Sequence, residues 1–196
     1  MSSDAVYDGR HVPIDEASTR EPVDLYGLMH TGREMMLQSV LAARQIPCGV
    51  LRPVALFGPG DTHNSYGPNR FIREAFDQHT ITLFGTGEDQ RSHVYVQDAA
   101  RLIAQCVLRR SEGTLNIASP ETVSFMEVAE AVQAACPFPT KLVLKDRPGS
   151  GAITTRPFAD RQLVDAFPEF AFTPMAAAVH AYVTGFQKGT APAAAM

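Results

Sequence analysis

DLYGLMHTGREMMLQSVLAARQIPCGVLRPVALFGPG, residues 24–60, holds both periodicities on which the fold depends. In its first half Leu25, Leu28, Met29, Gly32, Met36 and Val40 recur at helical spacing, and Asp24 stands where an N-cap belongs. This predicts a long core-facing helix over 24–44. In its second half, residues 49–58 form a near-continuous apolar run between turn signals. Such a run suits a strand covered on both faces, as in parallel sheets. A helix followed directly by a buried strand is half of an α/β unit.

The same alternation continues downstream. The pattern predicts a helix over 69–78, strands over 81–84 and 93–96, and a helix over 98–110 with Asp98 as its N-cap. A strand near 115–118 comes next, then a helix over 124–136, a strand over 141–144, and helices near 159–167 and 174–186. The class is therefore α/β.

Composition narrows the function. The 196 residues are 45% hydrophobic and 19% charged, as in a soluble globular protein with a core of its own. Seventeen Lys plus Arg oppose 21 Asp plus Glu, and no basic cluster interleaves with aromatics, so nucleic acid is not the expected partner. No apolar run reaches the roughly 18 residues of a membrane span, and MSSDAVYD has no signal-peptide pattern; a cytoplasmic location is expected. Cys48, Cys106 and Cys136 are too far apart for a CxxC pair and are expected to be reduced thiols. His63 lacks partners at zinc-like spacing, so no metal site is expected.

Tyr26 and His30 stand at i and i+4 of the predicted helix, where two side chains share one face. Such a pair occurs on many helices and gains meaning only from its surroundings. Those surroundings resemble the extended short-chain dehydrogenase/reductase family, the NAD-dependent epimerases and dehydratases of nucleotide sugars. SSDAVYD (2–8) is similar to the family's serine segment, and DEASTREPVDLYGLMH (15–30) to its E-x-P-x-Y-G-x-x-K helix start. LRPVALFGPGD (51–61) is similar to LRxxNxxGP, and ITLFGTGEDQRSHVYVQDAARLI (81–103) to the segment ending R-D-x-x-x-V-x-D. GTLNIASPETVSFMEVAEAV (113–132) completes the series in order.

The resemblance implies the C-terminal part of a Rossmann-like parallel sheet plus a small α/β substrate-binding domain. Residues 1–65 would be the catalytic portion and 66–188 mainly the substrate-binding region, with the strand near 115–118 returning to the main sheet and 189–196 a frayed tail. It also implies roles. Ser3 would hydrogen-bond a substrate hydroxyl, and Tyr26 would exchange a proton with it while hydride passes between the sugar carbon and the nicotinamide of NAD or NADP.

A free tyrosine titrates at about 10, so a phenolate base near pH 7 needs roughly 4 kcal/mol of preferential stabilisation. One fixed positive charge about 4 Å away, at an effective dielectric of about 20, supplies that amount. The family places lysine there, and this chain has His30, which at an ordinary pKa of about 6.5 is charged only about a quarter of the time at pH 7. Either His30 orients the cofactor ribose and activates Tyr26 weakly or in a pH-gated way, or the site has decayed.

Other departures bear on the reaction. Dehydratases of the family resemble Thr-Asp-Glu where this chain has Ser3, Asp4 and Ala5. Alanine cannot take a proton, so oxidation, reduction or epimerisation is expected rather than 4,6-dehydration. Asp4 is either the acid or a plain loop carboxylate. Ala55 replaces the asparagine of LRxxN. Arg91 corresponds to the arginine that meets the nucleotide diphosphate, a task suited to the guanidinium fork. Arg147 and Arg156 compete for the second phosphate position, with Arg147 slightly favoured. Asn69 and Arg70 either approach the nucleotide or simply begin a helix.

The glycine-rich strand, loop and helix that would cradle the dinucleotide pyrophosphate is not in the sequence; Gly85 and Gly87 have no third glycine in register. By resemblance, about a hundred residues of parallel strands would precede Ser3. Met1 is then expected to be an internal methionine of a longer reading frame, with two alternatives: a half-protein that binds a nucleotide sugar or a sister subunit without redox chemistry, or a nonfunctional remnant. The unprotected side of the 49–58 strand predicts a polypeptide that alone is poorly soluble, oligomeric or dependent on another chain, and the family's habit implies a homodimer through the Tyr26 helix.

Overall fold

The computed structural model describes residues 1–8, 12–61, 67–147 and 153–187. After a 3₁₀ turn at Asp4–Val6 the chain runs α1 (Leu25–Ala43), β1 (Gly49–Pro53), β2 (Ala55–Phe57), α2 (Gly67–Gln78), β3 (Thr80–Phe84), β4 (Gln90–Tyr95) and α3 (Val96–Leu108). It continues through β5 (Gly113–Ile117), β6 (Thr122–Ser124), α4 (Phe125–Ala135), β7 (Lys141–Lys145), β8 (Thr155–Arg156), α5 (Arg161–Ala166) and α6 (Met175–Gln187). The class is α/β, with parallel pairs β1–β5, β2–β4 and β3–β7.

The run expected as one strand is two. β1 pairs with β5, and after Val54 the chain changes partner so that β2 pairs with β4. Pro53 has no N–H to continue a ladder, while the Val54 N–H still reaches the Ile117 carbonyl at 3.1 Å. The switch joins two cores. Val54, Val94, Leu102, Ile117 and Leu163 pack in one, and Phe57, Phe71, Ile81, Tyr95, Val132 and Val179 in the other.

The expectation for α1 is corrected. Asp24 caps it as expected, accepting from the Gly27 N–H at 2.7 Å, but the helix does not turn its apolar residues inward. Only Gly27, His30 and Glu34 are buried, while Leu25, Leu28, Met29, Met36 and Val40 are exposed. The inward row is set by polar contacts. Arg52 of β1 grips the Glu34 carboxylate with two N–H groups at 2.9 and 2.6 Å, which fixes the rotation of the helix.

Asp98 is not an N-cap. α3 begins at Val96, and the Asp98 carboxylate in its first turn accepts from the N–H and Oγ1 of Thr173 at 2.7 and 3.0 Å, tying down the entry to α6. The strands β6 and β8, missed in the sequence, are too short for periodicity to reveal. No described helix is long and apolar enough to cross a membrane. His63, the 65/66 boundary and the 189–196 tail lie outside the described residues.

Candidate active site

The catalytic candidates converge where β1 ends. Ser3 caps the 3₁₀ turn, its Oγ accepting from the Ala5 N–H at 3.2 Å and facing the Asp4 carboxylate at 3.4 Å. The turn lies against the first turn of α1 because residue 27 is glycine. A Cβ there would stand 2.2 Å from the Ala5 carbonyl oxygen, so only glycine lets the tyrosine helix approach the serine segment this closely. Tyr26, half-exposed, and Ser3, Asp4, Val54 and Gly60 line one cavity of about 390 Å³. It opens at the carboxyl ends of parallel strands β1 and β2, where α/β proteins bind ligands.

His30 is buried one turn beyond Tyr26, the two rings edge to face with centroids 4.5 Å apart. Its Nδ1 lies 2.6 Å from a guanidinium nitrogen of Arg33. Burial first, and Arg33 second, hold the imidazole below the usual histidine range, with Glu34 opposing. Any pH gating by this ring would therefore lie below the usual histidine range.

Burial pushes the Asp4 carboxyl above the usual carboxylate range, against the pull of Arg156 and the Ser3 hydroxyl. Arg156 donates to the Asp4 carbonyl at 2.8 Å and stands 3.7 Å from its carboxylate. Arg156 is also the register partner of Arg91 in the parallel β4–β8 pair. Arg91 is oriented by the carbonyls of Gln90 and Thr154 at 2.7 and 2.9 Å and by the Thr154 hydroxyl at 2.7 Å. Two guanidinium-bearing residues thus lie side by side next to Asp4.

Arg147 is linked to Arg91 through Asp89 and Thr154. It pairs with Asp89 and, at 3.0 Å, with Glu88 in the turn between β3 and β4. Asn69 is fully buried and committed to the loop after β2, its Oδ1 accepting from the Gly58 N–H at 3.1 Å and its amide meeting Asp61. Arg70 is braced by Glu74 at 3.2 Å and the Thr82 carbonyl at 3.1 Å. With Phe84, Asp89 and Phe125 it lines a second cavity of about 440 Å³.

Two site-supporting features escaped sequence reasoning. Arg33 is three residues beyond His30 on the same helix, a spacing that could have flagged it. The other is a buried network in which Arg52 binds Glu34 and donates to the Tyr7 hydroxyl at 2.6 Å, which donates to Asn116 at 2.9 Å. Burial alone would raise the Glu34 pKa, yet Arg52, Ser2 and Arg20 outweigh it and hold the carboxyl below its usual range.

Comparison with known proteins gives the family and the fold. Residues 1–118 match the NAD dependent epimerase/dehydratase family. The low-salt glycan biosynthesis protein Agl12 of Haloferax volcanii is 27% identical over 141 residues, which are 69% of this chain and 44% of that protein. The Bacillus subtilis protein named uncharacterized UDP-glucose epimerase YtcB is 24% identical over 135 residues, 67% of this chain and 42% of its own. The chain thus spans less than half the length of these two relatives. UDP-N-acetylglucosamine 4-epimerase from Methanobrevibacter ruminantium, solved with UDP-N-acetylmuramic acid, superposes with a TM-score of 0.81 at 19% identity over 96% of this chain and 62% of that one, a likeness of fold.

Proposed function

From the membership of this chain in the NAD dependent epimerase/dehydratase family, we propose that it carries the catalytic and sugar-binding part of a protein acting on a nucleotide-activated sugar by reversible hydride transfer. The observation that carries this is the convergence of Ser3, Asp4 and Tyr26 on one cavity, with Arg91 and Arg156 paired beside it.

The residues fit the nicotinamide end of NAD or NADP: Tyr26 is accessible from the cavity and His30 backs it. When bound, the nicotinamide accepts or returns the hydride. The protein's own groups do the rest. Ser3 Oγ holds the reacting hydroxyl, the Tyr26 oxygen takes its proton, and the fixed ring of His30 orients the tyrosine. Asp4, with its raised pKa, holds a proton nearer neutrality than an exposed carboxylate would. Ala5 offers no second base, which favours oxidation, reduction or epimerisation over 4,6-dehydration.

Arg91 and Arg156 would share the diphosphate, and the Arg70 cavity would take the far end of the nucleotide. The exposed apolar side of α1, with Leu25 83% and Met36 65% exposed, favours pairing with a second copy.

The test is to mix the full chain with oxidised or reduced NAD or NADP and UDP-, GDP- or dTDP-linked hexoses and follow both the nicotinamide absorbance and the sugar products. Turnover of one sugar class, lost by at least a hundredfold in Tyr26→Phe, is expected. Sugar-nucleotide binding with no oxidised, reduced or epimerised sugar under any combination would contradict hydride transfer by this chain and favour a binding module.

A further inference from the structure

Arg33 changes what His30 can be. A guanidinium has only N–H donors and stays charged throughout the accessible pH range. A ring nitrogen 2.6 Å from it must therefore be the acceptor, with a free lone pair. That nitrogen is Nδ1, so the ring proton sits on Nε2 and the imidazole is neutral. Protonating Nδ1 would set N–H against N–H with two positive charges in contact.

The contact is held from both sides. Arg33 also donates to the carbonyl of Met1, which pins the guanidinium across the gap between α1 and the serine segment. His30 is 6% exposed, so water cannot readily take the place of Arg33. The charged and titratable groups around the ring are Arg33 and Glu34 on α1, Tyr26 one turn back, and the amino terminus. Glu34 is the one anion among them, and Arg52 and Arg20 already neutralise it at 2.6 and 3.2 Å.

We propose that Arg33 is a positioning residue of this site: it holds His30 as the neutral imidazole with its proton on Nε2. The ring that packs edge to face on Tyr26 is then itself held by a guanidinium. Its functional meaning rests on the proposed roles of Tyr26 and His30. His30 acts as a constant hydrogen-bond donor, and the pH dependence of the tyrosine step carries no histidine inflection near pH 6.5. Burial and Arg33 both push the His30 pKa in the direction this requires.

The experiment needs neither nicotinamide nor sugar, so its failure is distinguishable from failure of the proposed reaction. The full chain is labelled with ¹⁵N-histidine, and the His30 signals are assigned with His30→Gln. At pH 7 the expected spectrum has an unprotonated Nδ1 and a protonated Nε2, unchanged as the pH falls through about 6.5. In Arg33→Met the two tautomers mix and the titration moves up toward the ordinary histidine value; Arg33→Lys restores the single tautomer. A wild-type His30 protonated on Nδ1, or titrating near pH 6.5, overturns the proposal. So does an Arg33→Met variant that keeps a folded spectrum and unchanged His30 signals. If Arg33→Met fails to fold, the wild-type titration alone decides.

Discussion

Helices α1 and α4 are both rich in apolar residues, yet they meet the rest of the molecule in opposite ways. In α4 the hydrocarbon is inside: Val128, Ala129 and Val132 are buried against α2 and α6. Its start is closed by a reciprocal cap, Ser124 Oγ accepting from the Glu127 N–H at 3.1 Å and Glu127 accepting from the Ser124 N–H at 2.7 Å. In α1 the inward row is Gly27, His30 and Glu34, and the apolar row faces out. Hydrocarbon packing tolerates small rotations because it has no direction. A bidentate ion pair and a guanidinium–imidazole contact do not, so α1 is oriented to the accuracy that Tyr26 beside Ser3 requires.

The contrast is sharpest at Arg52 and Glu34, both 3% exposed. Removing one partner leaves a buried charge without compensation, at a cost of about 3–5 kcal/mol. Arg52→Met should lose that much in denaturant unfolding, and adding Glu34→Gln should recover much of it. A loss under about 1 kcal/mol would show that the pair does not anchor α1.

On the α4 side a buried polar residue, His93, lies between Phe57 and Phe125, with neither ring nitrogen hydrogen-bonded to a described residue. Burial, with Arg91 adding to it, pushes its pKa down to about 4. Between about pH 6.5 and 4 the unfolded chain binds a proton that the native chain refuses, so stability falls as the pH falls. The loss approaches about 3 kcal/mol at the acid end. His93→Phe should flatten that limb, and an unchanged slope would assign it to other groups.

Smaller effects separate the two helices directly. Val132→Ala in α4 should cost about 2 kcal/mol through its cavity, whereas Leu28→Ala in α1 should stay within about 0.5 kcal/mol in the monomer. Equal costs in thermal unfolding would mean that the outer face of α1 is covered in solution. Concentration dependence of the Leu28→Ala effect would identify the cover as a second copy.

Local chemistry was legible in the sequence, and long-range geometry was not. The α1 cap at Asp24, the order of the helices and the longer strands, and the Tyr26–His30 pair follow from spacing within a few residues. The direction in which α1 faces does not, because Arg52, eighteen positions after Glu34, decides it. Helical periodicity shows that a stripe exists, not what covers it. The same limit explains the arginines. That Arg156 pairs in register with Arg91, while Arg147 reaches it only through Asp89 and Thr154, depends on the β4–β8 register, and β8 is a two-residue strand that leaves no pattern. Asn69 could be placed at the start of a helix, but its commitment to Gly58 and Asp61 depends on a fold-specific loop path.

On this reading Tyr26, on the cavity it shares with Ser3 and Asp4, is the reacting end of the site, and Arg91, beside Asp4 in register with Arg156, is its anchoring end. Calorimetric titration of the full chain with UDP, GDP and dTDP, in the wild type, Arg91→Gln and Tyr26→Phe, tests this division. One of the three should bind, Arg91→Gln should weaken it about tenfold, equivalent to about 1.4 kcal/mol, and Tyr26→Phe should leave it unchanged. Binding that is absent in the wild type, or indifferent to Arg91→Gln, would contradict the account.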